Sequence, residues 1–381
     1  MPRQRALAWG ASSRTSVAPR RRDAVATSAA RHTRRRDAVA TSDAARHTPR
    51  RRRRHESCPS MLAWTHDDAI LLTASSRDCR KKQSKQKHAA TTEQANAFKE
   101  NDIMPELPEV ETVRTIIAPQ VTNRRIISVN VLDSKVVAHP TVDEFCKRLC
   151  GNTICSMDRR GKFLSFIFAN GDRLFLHLRM TGQLLVTPQD FPQAKHTHLV
   201  MQLDDGHQIR YIDLRRFGRF WYIRNGEPTA VTGVDKLGLE PSDKSLTAKY
   251  LKSKLAYRAK AVKEMLLDQT IVAGIGNIYA DEILFATGIH PEQKCSELRD
   301  TDWRKLAKAI PDVIAWGIET NKITPEDYLA CEGASYRNTP LLKVYGRGGQ
   351  PCLKCGRPLE RITVGGRSSC FCPACQRKRP V

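Results

Sequence analysis

The chain has 381 residues, 40% of them hydrophobic, enough for two or three domains with cores of their own. No apolar run approaches the ~20 residues that span a bilayer, and no secretory signal opens the chain, so a soluble, cytoplasmic protein is expected. The net charge is +24: residues 1–103 hold 23 Lys and Arg against 10 Asp and Glu and carry +13, leaving +11 on residues 104–381. A folded part this basic favours a polyanionic partner, because each neutralised phosphate releases condensed counterions, although a solvated basic surface explains the charge equally well.

Residues 20–28 read RRRDAVATS, and residues 34–42 repeat them letter for letter. A stretch dominated by Arg, Ala, Ser and Thr buries too little apolar surface to offset chain entropy, so residues 1–103 are expected to be disordered. An Arg-rich, Ser-rich arm suits nucleic acid or an organelle transit peptide. The expectation adopted is a third one, that translation begins at Met104 and the repetitive segment lies ahead of the true start.

Strand-like segments follow at residues 126–132, 163–168, 173–177 and 209–212, separated by turn signals, which predicts a β-sandwich or barrel-like sheet pair. After about residue 242 the period becomes helical, with apolar Leu251, Leu255, Val262, Leu266 and Leu267. Residues 271–291 predict a helix, a glycine-bearing turn and a second helix opening at Asn277. Asparagine is a good N-cap, and such a helix start with glycine amides suits a phosphate.

The cysteines are twelve, eight of them scattered. The other four read Cys352-x2-Cys355-x16-Cys372-x2-Cys375, two knuckles that suit one tetrahedral Zn²⁺ held by four thiolates, with a redox disulfide pair as the alternative. With no open position the zinc would be structural. Cys370 fits the knuckle spacing less well.

Other residues carry chemistry on their own terms. Removing Met104 would expose Pro105, whose secondary α-amine has a pKa near 7.7–8.0 and can attack an electrophilic carbon; a proline there also suits the first position of a helix. Glu106 and Glu109 are expected in the first turns of a helix, where negative charge meets the dipole favourably. Lys162 follows a glycine at the mouth of a strand, behind Arg159 and Arg160, and reads equally as a solvated strand end. Met180 and Phe217 read as core residues.

Taken together and in order, MPELPEVETVR from Met104, RRGKFL, HLRMTG, DLRRFG, GIGNIYADEILF and the terminal cysteines resemble formamidopyrimidine-DNA glycosylase over essentially all of residues 104–381. The resemblance implies an α+β multidomain protein: a catalytic β-sandwich with an N-terminal helix at 104–241, a helix-two-turn-helix DNA-binding domain at 242–345 and a zinc-finger β-hairpin at 346–381. It implies a monomer acting on damaged double-stranded DNA, removing oxidised purines such as 8-oxoguanine and formamidopyrimidines and then nicking the strand by β,δ-elimination. Pro105 would be the nucleophile at C1′, Glu106 the general acid/base supported by Glu109, Lys162 the acid partner in β-elimination, and Arg367 a phosphate grip assisting δ-elimination. A flipped base leaves a void, which Met180, Arg215 and Phe217 would fill. His196, Arg258 and Asn277 match further DNA contacts.

Residues 322–342, KITPEDYLACEGASYRNTPLL, depart from the glycine-bearing loop that closes over oxidised guanine in the family, and Leu214 stands where proline is common. Base preference is therefore the least determined property. Two other readings stay open: a sister enzyme of endonuclease VIII type acting on oxidised pyrimidines, and a zinc-containing DNA-binding protein without catalysis, since an attached extension would leave the Pro105 nitrogen an amide.

Overall fold

The computed structural model describes residues 104–334 and 336–379. The expectations for residues 1–103, disorder and a start at Met104, fall outside the described residues.

Helix α1 (Leu107–Val121) begins with Pro108 in its first turn, where a missing N–H costs nothing, and with the Glu109 carboxylate accepting the Glu106 amide at 2.9 Å. Pro105 is therefore ahead of the helix, not at its first position. The short strand β2 (Val137–His139) and helix α2 (Val142–Leu149) come between the first strand and the third in chain order. The remaining strands are β1 (Ile126–Val131), β3 (Ile154–Arg160), β4 (Phe163–Phe168), β5 (Arg173–His177), β6 (Gly182–Pro188), β7 (Thr197–Leu203), β8 (His207–Asp213) and β9 (Arg219–Ile223). They form two sheets, in the orders β1-β7-β8-β6 and β2-β9-β5-β4-β3.

The inner faces of both sheets close over one core together with Val110, Val113, Ile117 and Val121 of α1. Strand β4 is almost wholly apolar for a reason: Leu164, Phe166 and Phe168 enter that core, while Phe163 joins Phe175, Trp221 and Ile223 on the outer face beneath Val234 and Leu237.

The second half is helical, with α3 (Ala248–Leu255), α4 (Val262–Leu266), α5 (Asn277–Thr287), α6 (Asp300–Thr320) and α7 (Pro325–Ala330). The single periodic stretch over residues 251–267 divides between α3 and α4. Contrary to the sequence reading, residues 271–276 form no helix; they belong to the turn, and α4 is the first helix of the pair. The turn is held from inside by Gln269, whose side chain bonds the Ile275 carbonyl at 2.7 Å and the Gly274 amide at 2.9 Å. The Leu107 amide donates to the Gly274 carbonyl at 3.1 Å, and Leu107 itself packs in the helical core. The first residue of α1 thus belongs to one core and the rest of the helix to the other, which places Pro105 and Glu106 at the junction.

A hairpin of β10 (Glu360–Val364) and β11 (Arg367–Phe371) ends the described chain, turned by Gly365 and Gly366 at φ 55° and 75°, values that glycine adopts without strain and that match the twist of a two-residue hairpin loop. No helix among the described residues is long and apolar enough to cross a membrane.

Candidate active site

The junction of the two cores holds a cavity of about 550 Å³, lined by Met104, Glu106, Lys162, Met180, Asn277 and Arg367, with His177, Tyr345, Gln269 and Ser368 completing its polar wall. Pro105 is buried between two lining residues. Six of the positions singled out from sequence therefore converge here, from α1, the β3–β4 turn, the β5–β6 loop, α5 and the hairpin.

Glu106 is 2% exposed, and its carboxylate serves another helix than its own. It accepts from the amides of Gly276 and Ile278 at 2.7 Å and of Tyr279 at 3.2 Å, capping α5 from 170 residues away in sequence. This corrects two expectations. Gly276, not Asn277, is the N-cap, and only glycine fits there, since a Cβ would lie 2.3 Å from the Glu106 carboxyl carbon. The amides of Gly276, Ile278 and Tyr279 already hold a carboxylate and are not free to receive phosphate, whereas the Asn277 side chain lies in the cavity wall. Burial raises the Glu106 pKa to about 7, against the pull of Lys162 and of the amides, with Glu109 pushing the same way as burial. Glu109 stands behind, accepting from the Tyr279 hydroxyl and the Asn321 amide, each at 3.0 Å.

Lys162 is 8% exposed, so it is no solvated strand end. Its pKa is lowered by burial and by Arg367, with Glu106 and Glu109 opposing. The turn that delivers it is clamped: Glu240 accepts from Arg159 and Arg160 at 2.8 Å and from the Gly161 amide at 2.6 Å, while Glu111 takes Arg159 at 2.8 Å. The two arginines shape the turn and do not line the cavity.

On the opposite wall, Lys263 and Asp281 form a fully buried ion pair at 2.7 Å. Asp281 also accepts from the Ser369 hydroxyl at 2.7 Å and the Cys370 amide at 2.9 Å, and Lys263 donates to the Ser368 carbonyl at 2.8 Å, as does Asn277 at 3.0 Å. These bonds dock β11 along α5 and bring Arg367 to the rim. Beyond it the Sγ atoms of Cys352, Cys355, Cys372 and Cys375 all lie within 4.8 Å of one another, with Cys355–Cys372 at 3.5 Å and Cys352–Cys375 at 4.0 Å. A tetrahedron of thiolates about 2.3 Å from zinc has edges of about 3.8 Å, so the four side chains fit Zn²⁺. Cys370 is outside the group.

Arg215 and Phe217 are exposed on the β8–β9 loop. Buried Asp213 organises it, accepting from the Thr181 hydroxyl at 2.5 Å, the Gly218 amide at 2.9 Å and the Arg215 amide at 3.2 Å, which ties this loop to the one carrying Met180. His196 is not in the cavity; it lines a separate hollow with Thr181 and Leu214. Arg258 lies in the turn between α3 and α4, its guanidinium 5.6 Å from the Tyr257 ring.

Among the cavity residues that escaped the sequence reading are His177 and Tyr345. His177 lies within the quoted HLRMTG, where a histidine at a strand end reads as core. Its Nδ1 accepts the Arg179 amide at 3.0 Å, and burial with Arg179 and Lys162 nearby lowers its pKa to about 3, leaving a neutral ring with Nε2 as donor. Tyr345 is aimed by Glu282, whose buried carboxylate accepts the amides of Val344 at 2.9 Å and Tyr345 at 3.0 Å. Neither anchor has a local sequence signature.

Comparison with known proteins completes the picture. Residues 104–220 match the formamidopyrimidine-DNA glycosylase N-terminal domain, 237–328 the H2TH domain of the same glycosylase, and 349–377 the zinc finger found in FPG and IleRS. The formamidopyrimidine-DNA glycosylase of Desulforamulus reducens is 42% identical over 277 residues, spanning 72% of this chain and all of that protein; that of Trichormus variabilis is 41% identical over 276 residues with the same coverage. This chain belongs to the formamidopyrimidine-DNA glycosylase family. The Lactococcus lactis family member, solved with DNA containing N7-benzyl-Fapy-dG, superposes with a TM-score of 0.66 at 35% identity over 72% of this chain and all of that one. The chain is accordingly a DNA glycosylase of base-excision repair, with the family's sandwich, H2TH domain and zinc-finger hairpin, and with one structural zinc. The family's AP lyase activity goes with that membership.

Residues 322–342 remain the departure. Tyr328 bonds the Leu184 carbonyl at 3.2 Å, Tyr336 the Glu109 carbonyl at 3.5 Å, and their rings meet at 5.2 Å, so these two tyrosines pack on the sandwich; among the described residues of the segment, none lines the cavity.

Proposed function

We propose that this glycosylase, acting as a monomer, excises oxidised purines, 8-oxoguanine and formamidopyrimidines, from duplex DNA and then nicks the strand on both sides of the emptied sugar. The observation that carries the reading is Glu106: a carboxyl poised near neutrality, immediately after Pro105, in a cavity that also holds Lys162 and Arg367.

Once Met104 is removed, the Pro105 nitrogen is a secondary amine whose lone pair attacks C1′. The N–C1′ bond forms, the glycosidic bond breaks, and the departing base takes a proton. Glu106, whose pKa is near neutrality, gives up that proton; its carboxylate then takes the proton from the alkylated Pro105 nitrogen and passes it to O4′, so that the sugar ring opens to the iminium. Loss of a C2′ proton then expels the 3′-phosphate, which Lys162 protonates. A second elimination expels the 5′-phosphate, with Arg367 balancing its charge, and water hydrolyses the iminium to free Pro105. His177, Tyr345 and Asn277 surround the cavity with neutral donors suited to phosphate oxygens. Met180, Arg215 and Phe217 occupy the vacated stack; His196 and Arg258 contact DNA away from the cavity.

Borohydride trapping on 8-oxoguanine duplex, followed by mass spectrometry of the trapped N-terminus, tests this. A cross-link at Pro105 supports both the nucleophile and a working chain that begins there; no cross-link in a chain shown to begin at Pro105 favours a binding protein without catalysis.

A second substrate class has one observation in its favour. Among the described residues of 322–342 none lines the cavity, where the resemblance implied a purine-closing loop, and the similar L. lactis protein has been solved with DNA containing an oxidized pyrimidine. Faster excision of thymine glycol than of 8-oxoguanine would make that class the principal one.

A further inference from the structure

The most exposed large apolar side chain among the described residues is neither in the cavity nor on the loops that carry Met180 and Phe217. Tyr257, in the turn between α3 and α4, is 72% exposed. The Arg258 guanidinium lies 5.6 Å from the centre of its ring, and exposed Lys254 and Lys260 flank the pair in sequence. Lys252, one turn earlier, is neutralised by Asp300 at 2.6 Å, whereas among the described residues Lys254, Arg258 and Lys260 enter no ion pair. The nearest carboxylate in sequence, Glu264, is occupied with the Ala261 amide at 3.3 Å and pressed by the hairpin tip at Gly365. A free ring face beside unneutralised cations is the combination that grips a nucleic-acid backbone: the ring takes a sugar or base face, and the cations take phosphates.

The turn is also close to the cavity along a rigid path. Helix α4 starts two residues after Lys260 and, at 1.5 Å per residue, is about 7.5 Å long. Beyond its end Leu267 and Gln269 line the cavity, and from its start Lys263 holds the Ser368 carbonyl of the hairpin. One short helix of separation corresponds to about two or three nucleotides along a strand rising 3.4 Å per step.

We propose that Tyr257 and Lys260 form a second grip on duplex DNA, outside the lesion cavity and on one flank only, in which the Tyr257 ring packs against the sugar–base edge and Lys260 neutralises a phosphate beside Arg258. The inference rests on the glycosylase reading; the resemblance implied a DNA contact for Arg258 and none for these two neighbours.

The test uses the zinc-loaded full-length chain and duplexes carrying a non-cleavable abasic analogue, lengthened on one side of the lesion at a time. Anisotropy at physiological salt should show wild type tightening as one flank grows and Tyr257→Ala failing to follow, about tenfold weaker on the long duplex and equal to wild type on the short one. Tyr257→Phe, which keeps the ring, should restore most of the gain. Lys260→Ala should flatten the dependence of log K on log salt by about 0.9 on the same long flank. Equal binding by Tyr257→Ala and wild type on every duplex would overturn the proposal, as would a loss that is the same on short and long duplexes. Failure of wild type to prefer the abasic analogue over undamaged DNA would instead count against the glycosylase reading on which the proposal stands.

Discussion

The two walls of the cavity are placed by different physics. On the sandwich side, Lys162 and His177 come together through strand register: Phe163 pairs with His177 across β4 and β5, and an apolar core holds both strands. On the helical side, Asn277, Tyr345 and Arg367 sit on turns and a hairpin whose positions depend on buried charge: Glu106 capping α5, Glu282 gathering residues 343–345, Asp281 paired with Lys263 under β11. Packing degrades gradually when trimmed, whereas a buried charge that loses its partner is left without solvation. The comparison teaches that one wall is robust and the other all-or-none, with the zinc module as the clasp of the second.

Removing the clasp should have the largest effect. A structural Zn²⁺ contributes on the order of 10 kcal/mol to the fold of its module, so Cys372→Ser should release the metal, detach Arg367 from the rim and weaken binding to an abasic-analogue duplex by at least about a hundredfold. Zinc release to a chromogenic chelator and anisotropy report the two losses; the near-ultraviolet signal of the buried sandwich aromatics should persist. Unchanged affinity after zinc loss would mean that Lys263 and Asp281 hold the hairpin without it.

That buried pair is the next place to strike. Asp281→Ala leaves the Lys263 ammonium with the Ser368 carbonyl as its remaining bond and should cost about 3–5 kcal/mol in urea unfolding. Leu164→Ala in the sandwich core should cost a similar ~2–5 kcal/mol, yet the two must differ in rescue. Adding Lys263→Met to Asp281→Ala removes the stranded charge and should recover most of the stability, while no polar change rescues Leu164→Ala. A double variant as unstable as Asp281→Ala would show that shape, not charge, positions the hairpin.

How far these walls could be read in advance follows from the same difference. The strands around residues 126–131, 163–168 and 173–177 and the four zinc cysteines have local signatures, alternation, apolar runs and spacing, and the sequence reading placed them. Glu106 looked like a favourable charge on its own helix because nothing local indicates that its carboxylate reaches Gly276, 170 residues on. Asn277 looked like an N-cap for the same reason, and the first helix expected in residues 271–291, ahead of the glycine-bearing turn, is absent, residues 271–276 being a turn held by the Gln269 side chain. Glu240, Glu282 and Asp281 act through contacts that exist only after folding, so Arg159, Arg160 and Tyr345 had no readable purpose. The six motifs taken together brought Lys162 and Arg367 into view where periodicity alone did not.

Acid–base behaviour sharpens the contrast at the junction itself. Glu106 carries its proton below about 7, while a Pro105 amine is free above about 8. Excision should rise with pH up to about 7, stay level between the two values and fall above about 8, because the product of acid and free-amine fractions is greatest there. Nicking of a preformed abasic site needs the amine first and should keep only the rising limb. Glu106→Gln should lower excision by about 10²–10⁴-fold and spare that nicking. Equal losses in both steps would assign Glu106 to holding α5 in place rather than to proton transfer.

The smallest expected change in stability is at the exposed Phe217. At 52% exposure its ring adds little to the fold, so Phe217→Ala should stay within about 0.5 kcal/mol of wild type in urea. Its proposed partner is the void in the DNA stack, which the free protein does not contain. Affinity should therefore fall for a duplex whose lesion base is paired and stacked, by about 1–3 kcal/mol, and much less for one already lacking a base, where less unstacking is required. The Asp213 bonds to Thr181, Arg215 and Gly218 keep the loop shaped in the variant, so the loss reports the ring alone. Equal losses on the two duplexes would place Phe217 in general DNA contact, and an unstable variant would return it to the sandwich's packing.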